Sequence, residues 1–255
     1  KFKIRDSHPL NRWINTPEAL IHSSNIVTAQ IADQLGAVRM DAMLRAMRFN
    51  ARPDIELAEK SRPLYPKTWG RLTNMTVGFG HGIAVTPMHL ASAYAAMVNG
   101  GIYRPATMFK TKADAKIPGR RVFTAATSAR MRQMMRMIVV DGTGSQADAL
   151  GYRVGGKTGS AEKPGVGGYS RNLVVSTFAS AFPMDNPRYV VLAMLDEPQG
   201  TEASSFQRTA GYTAAPVVRK TITRIGPLMG IIPDMKRDVD VSELMPLLWK
   251  AKGEQ

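Results

Sequence analysis

Two short clusters of polar residues carry the side chains best suited to chemistry in this chain. Ser23-Ser24-Asn25 groups hydroxyls with an amide, and Lys157-Thr158-Gly159 places an ammonium beside a hydroxyl. The patterns S-x-N and K-T-G belong to a motif set that enzymes use to transfer acyl groups through a serine. Each tripeptide alone occurs by chance in many proteins, but their order and their settings together favour this chemistry.

The same lysine also completes a nucleotide-binding pattern. Residues 151–158 fit G-x-x-x-x-G-K-[ST], the phosphate-binding loop. That loop works when a helix begins at the lysine and donates its amide hydrogens to phosphate. Residues 159–168 contain several glycines and Pro164, which do not sustain a helix. Nucleotide binding is therefore a remote alternative, and we expect Lys157 to lie in a strand.

Helices are predicted on both sides of the first cluster. Thr16-Pro17-Glu18 is typical of a helix start, with Thr16 as the hydroxyl cap. A second helix is predicted from Ile26 to Leu35, ending at Gly36, so Ser23–Asn25 lies at a helix junction. Residues 51–74 are predicted to form a long surface loop. Further helices are predicted over residues 40–47, 126–139 and 211–225, with the methionines of 126–139 in the core. Another helix is predicted to start at Thr86-Pro87 and to end at Gly100-Gly101.

The later half of the chain changes to a strand pattern. Strands are predicted over residues 152–158, 173–182 and 189–196. The connector 183–187 is rich in turn residues and too short for a parallel return, so the last two strands must pair antiparallel. Glu162, Lys163 and Gly165–Gly168 are predicted to form a flexible loop beside the Lys157 strand, lining a second substrate site or only joining two strands.

Composition excludes several kinds of site. The chain has 255 residues and no cysteine, which excludes disulfides, cysteine-ligated metals and a thiol nucleophile. The net charge of +14 comes from basic residues spread along the sequence, so it favours a solvated surface over a nucleic-acid site. None of the four histidines has metal-binding spacing. His22 is predicted to be structural, and the glycines around His81 are predicted to shape a turn rather than to bind phosphate.

Longer stretches resemble the transpeptidase domain of class B penicillin-binding proteins. They are Val77–Gly101, Gly142–Lys163 and Gly211–Pro216. The cluster Ser23–Asn25, followed by Ile-Val-Thr-Ala-Gln-Ile-Ala, is similar to the septal, cell-division type. The resemblance covers the chain from Phe2 to about Pro233.

This resemblance implies a fold and an activity. The fold is α/β of the α+β type, the penicillin-binding protein and β-lactamase-like transpeptidase fold, with an antiparallel sheet flanked by helices. The activity is D,D-transpeptidation, which cross-links peptidoglycan stem peptides during septal wall synthesis. A serine attacks the D-Ala–D-Ala carbonyl, the terminal D-Ala leaves, and the acyl group passes to an amine on a neighbouring strand. β-Lactams are expected to bind the intact protein covalently, and neither a metal nor a cofactor is implied.

The resemblance assigns catalytic roles to three residues. Lys157 supplies a positive charge for the substrate carboxylate and for proton movement around the nucleophile. Ser23 relays hydrogen bonds between the two lysines of the site. Asn25 holds the substrate amide or the nucleophile's lysine.

Three further residues are expected to bind substrate or β-lactam. Thr158 and Ser160 offer hydroxyls to the carboxylate, and the Ser160 backbone N–H is one donor of the oxyanion hole. Gly159 lets the ligand approach the strand without a side chain in the way.

The family's S-x-x-K nucleophile motif is not found where it is needed. The only such string is Ser160–Lys163, and Pro164 prevents the helix that an activated serine requires. The segment Lys1–Asp6 has neither an initiator methionine nor an apolar leader. We therefore expect residues 1–255 to be the C-terminal portion of a single transpeptidase domain, with the nucleophile segment, pedestal and membrane anchor upstream. By itself the chain should not form an acyl-enzyme.

The expected partners and location follow the same resemblance. Partners are peptidoglycan stem peptides, β-lactams, the missing N-terminal segment, a membrane glycosyltransferase and divisome proteins, but not nucleic acid. The location is the periplasmic face of the bacterial inner membrane. A catalytically inactive relative acting as sensor or scaffold remains an alternative, as does a hydrolytic enzyme, for which no deacylation base can be assigned.

Overall fold

Most α-helices lie in the first half of the chain, and the three longest strands lie within residues 155–196. The computed structural model describes residues 3–112, 114–165 and 168–248. The helices are α1 (Thr16–Ile21), α2 (Asn25–Leu35), α3 (Ala37–Ala46), α4 (Arg71–Gly78), α5 (Pro87–Val98), α6 (Ala125–Val140) and α7 (Ala214–Ile225). The strands are β1 (Ile102–Tyr103), β2 (Arg120–Arg121), β3 (Gly155–Gly165), β4 (Gly168–Phe182) and β5 (Tyr189–Asp196). None of the described helices has the length and apolar character needed to cross a membrane.

The chain divides into two compact units. One comprises Lys1–Val27 with Arg130–Gln255, and the other comprises Thr28–Ala129. The boundaries fall within α2 and α6 rather than in linkers.

The first unit contains a three-stranded antiparallel sheet in the order β3-β4-β5. Antiparallel pairing of β4 with β5, predicted from their short connector, is confirmed. Phe178 and Phe182 of β4 are fully buried, and they share a core cluster with Val218 and Ile222 of α7. The helix therefore packs its apolar side on the sheet and fixes the position of β3 through β4.

The structure corrects the predicted bounds of the lysine strand. β3 begins at Gly155, so Tyr152 lies before it and is buried in the core cluster. Glu162 and Lys163, predicted to lie in a flexible loop, belong to β3, with a β-bulge between them. The Lys163 ammonium lies 3.0 Å from an Asp196 carboxylate oxygen, which holds this end of the strand. Val166 and Gly167 of the predicted loop lie outside the described residues.

Helix starts follow from capping side chains. Asn15, not Thr16, caps α1, because its side-chain oxygen accepts a hydrogen bond from the Glu18 backbone N–H. The Glu18 carboxylate in turn accepts one from the Asn15 backbone N–H. Thr86 caps α5 as Thr86-Pro87 predicts, and His89 completes the reciprocal pair.

Two other predicted bounds are wrong. The predicted loop over residues 51–74 ends early, because α4 begins at Arg71 after Gly70. The last helix, predicted from Gly211, begins at Ala214.

The second unit has its own hydrophobic core. Leu44, Met47, Phe49, Val77 and Ala93 form a buried cluster between α3, α4 and α5. The short strands β1 and β2 pair antiparallel at its side. In the first unit, Met135 and Met137 of α6 are buried, which confirms the predicted core role of these methionines.

Candidate active site

The junction between α1 and α2 is a tight turn whose shape depends on Ser23. This residue has φ +60°, in the left-handed region that non-glycine residues seldom adopt. Ser24 follows it and is buried, with its backbone N–H bonded to the Ala19 carbonyl at 2.8 Å. The two neighbouring hydroxyls have different partners, because that of Ser23 bonds to Lys157 and that of Ser24 bonds to Asp6.

A distant aspartate completes the start of α2. The Asp6 carboxylate accepts hydrogen bonds from the Ser24 hydroxyl at 2.9 Å and from the Ile26 backbone N–H at 3.0 Å. The Ser24 oxygen in turn accepts from the Val27 N–H at 3.2 Å. Together they satisfy donors of the first helical turn, as an N-cap does. Sequence reasoning missed Asp6, because no local pattern connects it with a helix about twenty residues later.

Lys157 lies on β3 and joins the two predicted motifs. Its ammonium donates to the Ser23 hydroxyl at 2.8 Å, so the structure brings these two residues together as predicted. It also donates to the Thr158 carbonyl at 3.1 Å and to the Thr158 hydroxyl at 3.3 Å. Burial lowers the pKa of Lys157 to about 8. A pKa of about 8 allows Lys157 to lose or regain a proton close to neutral pH, and three neutral acceptors hold its ammonium in place.

Thr158 has a second partner that sequence reasoning did not single out. Its hydroxyl lies 2.8 Å from the Thr143 hydroxyl, and either oxygen could be the donor. Thr143 belongs to Gly142-Thr143-Gly144, directly after α6. Its signal in the sequence was a threonine between two glycines at the end of a helix.

Ser160 is positioned from the segment that precedes α7. Its hydroxyl accepts the Ala210 backbone N–H at 2.9 Å. On the neighbouring strand, Ser176 donates to the Arg208 carbonyl at 2.6 Å. These bonds fasten residues 208–210 to the sheet beside Ser160, while Gly159 and Ser160 remain exposed.

Asn25 stands apart from this hydrogen-bonded chain. It is the first residue of α2, and its side-chain amide donates to the Arg5 carbonyl at 3.2 Å. His22 is the C-cap residue of α1, as its predicted structural role suggests. His81 stacks on Phe79 in the second unit, with ring centroids 6.4 Å apart.

The backbone around Lys157 does not form a phosphate-binding loop. Residues after Thr158 continue in β3, paired with β4, so no helix begins at the lysine. Without those free helical amides, the sequence match at residues 151–158 lacks the geometry that binds phosphate.

A family comparison agrees with this geometry. The sequence matches the family described as "Penicillin binding protein transpeptidase domain" over residues 1–223. The chain belongs to this family. The predicted resemblance is confirmed, and the relatives and solved structures that follow are of the septal class B type.

Curated relatives carry matching names. The probable peptidoglycan D,D-transpeptidase FtsI of Caulobacter vibrioides is 40% identical over 237 residues, covering 89% of this chain and 40% of that protein. The peptidoglycan D,D-transpeptidase FtsI of Escherichia coli K12 is 29% identical over 226 residues, covering 88% of this chain and 37% of that protein. The chain thus spans about two fifths of the length of these relatives.

Solved structures confirm the predicted fold. The transpeptidase domain of penicillin-binding protein 3 from Burkholderia pseudomallei superposes with a TM-score of 0.79 at 30% identity, covering 87% of this chain and 66% of that one. Penicillin-binding protein 3 of Mycobacterium tuberculosis, solved in complex with ampicillin, gives 0.77 at 26% identity, covering 89% and 54%. The chain therefore has the penicillin-binding transpeptidase fold, with an antiparallel sheet flanked by helices.

Proposed function

We propose that this chain supplies the substrate-binding strand and a proton relay to a peptidoglycan D,D-transpeptidase of the septal type. The observation that carries the proposal is the 2.8 Å bond between the Lys157 ammonium and the Ser23 hydroxyl. It joins the K-T-G strand to the S-x-N junction within one compact unit. Structural pairs of this kind also occur by chance, but this one lies where both family motifs meet.

The strand β3 suits an extended peptide with a terminal carboxylate. β3 lies at one edge of the described sheet, and Gly159 and Ser160 are exposed on it. An extended peptide can pair with such an edge through its backbone. Lys157, Thr158 and Ser160 would bind the carboxylate of the terminal D-Ala, and Gly159 would allow close approach. The Ser160 backbone N–H would stabilise the oxyanion that forms at the attacked carbonyl.

The nucleophile in this proposal comes from a segment outside the chain. The serine oxygen attacks the D-Ala–D-Ala carbonyl while its proton passes to a neighbouring base, and that proton leaves with the terminal D-Ala amine. An amine on another stem peptide then attacks the ester carbonyl, the bond from that carbon to the serine oxygen breaks, and the proton that the amine loses returns to the serine oxygen. Ser23 and Lys157 would keep the hydrogen bonds around that serine in order, and Asn25 would orient the substrate amide.

The remaining parts of the proposal concern the whole protein. It would work at the periplasmic face of the inner membrane, beside a membrane glycosyltransferase and divisome proteins. β-Lactams would acylate the same serine. Ampicillin, with which the Mycobacterium tuberculosis protein was solved in complex, is a suitable probe.

Intact-mass spectrometry with ampicillin tests the proposal. A longer protein that carries the upstream segment should gain one covalent adduct, whereas this chain alone should gain none. In the longer protein, Lys157→Met should slow acylation strongly, and Lys163→Met, in the same strand, should slow it little. An adduct on this chain alone contradicts the external nucleophile. Absence of an adduct on the longer protein favours the inactive sensor or scaffold.

A second assay separates cross-linking from hydrolysis. The longer protein is given a stem peptide ending in D-Ala–D-Ala, with and without an acceptor amine. Transpeptidation predicts that D-Ala release rises with acceptor concentration and that a cross-linked product forms. Release that is independent of acceptor and yields only the shortened peptide would indicate the hydrolytic alternative.

A further inference from the structure

Thr143 is the fourth member of a hydrogen-bonded chain that starts at Ser23. The Lys157 ammonium donates to Ser23 and to Thr158, and the Thr158 hydroxyl lies 2.8 Å from that of Thr143. No motif of the family resemblance assigned a role to Thr143. The direction of its hydrogen bond with Thr158 determines whether the Thr158 hydroxyl can donate a hydrogen bond to a ligand.

The fold holds Thr143 at this place through close backbone approaches. A Cβ added at Gly142 would lie 2.6 Å from the Ile21 carbonyl oxygen. A Cβ added at Gly211 would lie 2.7 Å from the carbonyl oxygen of Thr143 itself. Neither position has room for a side chain. The end of α1 and the segment before α7 therefore both pack closely against the turn that carries Thr143. The 2.8 Å contact with Thr158 therefore belongs to a packed arrangement.

Counting hydrogens limits the possibilities at Thr158. A threonine oxygen has two lone pairs and one hydrogen. A charged ammonium can only donate, so the bond from Lys157 occupies one lone pair. If Thr143 donates to the second lone pair, the hydrogen of Thr158 must point in a third direction. If Thr158 instead donates to Thr143, it has no hydrogen left for a ligand.

We propose that Thr143 is a positioning residue that donates its hydroxyl hydrogen to Thr158 and thereby turns the Thr158 hydrogen toward a substrate carboxylate. This inference rests on the proposed function, because it deepens the role of Thr158 there. A carboxylate accepts a stronger, charge-assisted hydrogen bond than the neutral oxygen of a carboxamide, so a donor fixed in direction favours the acid. Thr143 would thus set the preference for substrates with a free C-terminal carboxylate.

Binding of a short peptide to this chain tests the inference. The probe is N-acetyl-D-alanyl-D-alanine, compared with the same peptide ending in a carboxamide, and binding is followed by the NMR shift of the Thr158 methyl group. Wild type should bind the acid more tightly than the amide. Thr143→Val, which keeps the shape and loses the hydroxyl, should weaken binding of the acid about fivefold to tenfold and weaken binding of the amide much less. Thr143→Ser, the matched control, should stay within about twofold of wild type.

The outcomes separate the inference from the proposed function. If wild type prefers the acid and Thr143→Val binds it equally well, the inference is wrong and the proposed function stands. If Thr143→Ser is as weak as Thr143→Val, the hydroxyl is not the cause and the inference is also wrong. If wild type binds neither peptide, the proposed carboxylate contact fails and the inference fails with it.

Neutron diffraction on wild-type crystals gives a measurement that needs no variant. The hydrogen between the two threonine oxygens should be covalently bound to Thr143 Oγ1. The hydrogen of Thr158 should point away from both Thr143 and Lys157. A hydrogen bound to Thr158 Oγ1 and directed at Thr143 would overturn the inference, whatever the binding data.

Discussion

Two lysines of the same strand are expected to have pKa values that are shifted in opposite directions from the ordinary value. Lys157 is half-buried beside neutral acceptors, and this desolvation lowers its pKa to about 8. Lys163 lies in the same strand beside Glu197 and Asp196, whose hydrogen bonds raise its pKa above the ordinary value of 10.5. Heteronuclear NMR of the lysine side chains should give a midpoint near 8 for Lys157 and one above 10.5 for Lys163. Equal midpoints for the two residues would contradict the burial argument.

The same shift predicts how stability depends on pH. Between about pH 8 and 10.5, the unfolded chain keeps a proton on Lys157 that the folded chain has released. The free energy of unfolding should therefore gain a contribution that rises with pH across this window. Urea unfolding at several pH values should show this rise in wild type and lose it in Lys157→Met.

Two substitutions at Ser23 can distinguish the stabilising hydrogen bond of its hydroxyl from the conformational strain of its left-handed backbone. Alanine keeps the cost of φ +60° and loses the bond to Lys157, whereas glycine loses the bond and removes the cost. Ser23→Gly should therefore be more stable than Ser23→Ala by about 1 kcal/mol in urea unfolding. A Ser23→Ala protein as stable as Ser23→Gly would show that the turn is not strained.

At the residue scale, sequence alone predicted Ser23, Lys157, Thr158 and Ser160 because short motifs mark them. Thr143 and Asp6 were missed for a physical reason. Their contacts, with Thr158 and with Ser24 and Ile26, exist only once the sheet and the helix junction have formed. Asn25 bears the motif, and its proposed contact with substrate stays a prediction.

At the scale of the strand, two glycines of β3 should respond differently to alanine. A Cβ at Gly156 would lie 2.5 Å from the Ala179 carbonyl oxygen and 2.8 Å from the Phe178 ring. A Cβ at Gly159 would meet only the Thr177 carbonyl oxygen, at 3.9 Å. Gly156→Ala should lose about 1–3 kcal/mol of unfolding free energy, and Gly159→Ala should lose almost none.

Ligand binding gives these two glycines a second readout. Gly159→Ala should weaken binding of the dipeptide acid despite its unchanged stability, because the methyl group stands on the exposed edge of β3. A Gly159→Ala protein that is destabilised as much as Gly156→Ala would contradict the assignment of Gly159 to the open side of the strand.

The elements show where local sequence suffices. Thr86-Pro87 predicted the start of α5, because capping is decided within one turn. The length of β3 was underestimated, because Pro164 and its neighbouring glycines are typical of a loop. Pairing with β4 keeps those residues extended, and that pairing is a property of the sheet rather than of the segment.

At the scale of the molecule, one arginine ties a late segment of the chain to α6. The buried Arg136 guanidinium bonds to Asp148 at 2.9 Å, to Asp238 at 2.7 Å and to the Val154 carbonyl at 3.0 Å. Arg136→Met should destabilise the protein by about 3 kcal/mol, since it leaves these acceptors without their shared donor. Urea unfolding checks this, with Lys163→Met as the exposed ion-pair control, for which we expect a much smaller loss. Similar losses in the two variants would contradict a special role for Arg136.

The division into two units was not predicted from the sequence. Domain boundaries are usually recognised by polar or flexible linkers, whereas here they fall within α2 and α6, whose sequences are ordinary helix. The prediction that the chain is part of a single transpeptidase domain stays a prediction. The net charge of +14 indicated neither the two compact units nor the extent of the domain.

The three bonds that hold the Lys157 ammonium also decide when its freedom of motion is lost. A lysine side chain gives up about 2 kcal/mol of rotamer entropy when it is fixed in one geometry. Ser23 and Thr158 impose that loss while the protein folds, so a carboxylate that binds later meets a cation already in place. Tighter binding should then come from stiffening the ligand, and a rigid bicyclic acid has the advantage over a flexible dipeptide.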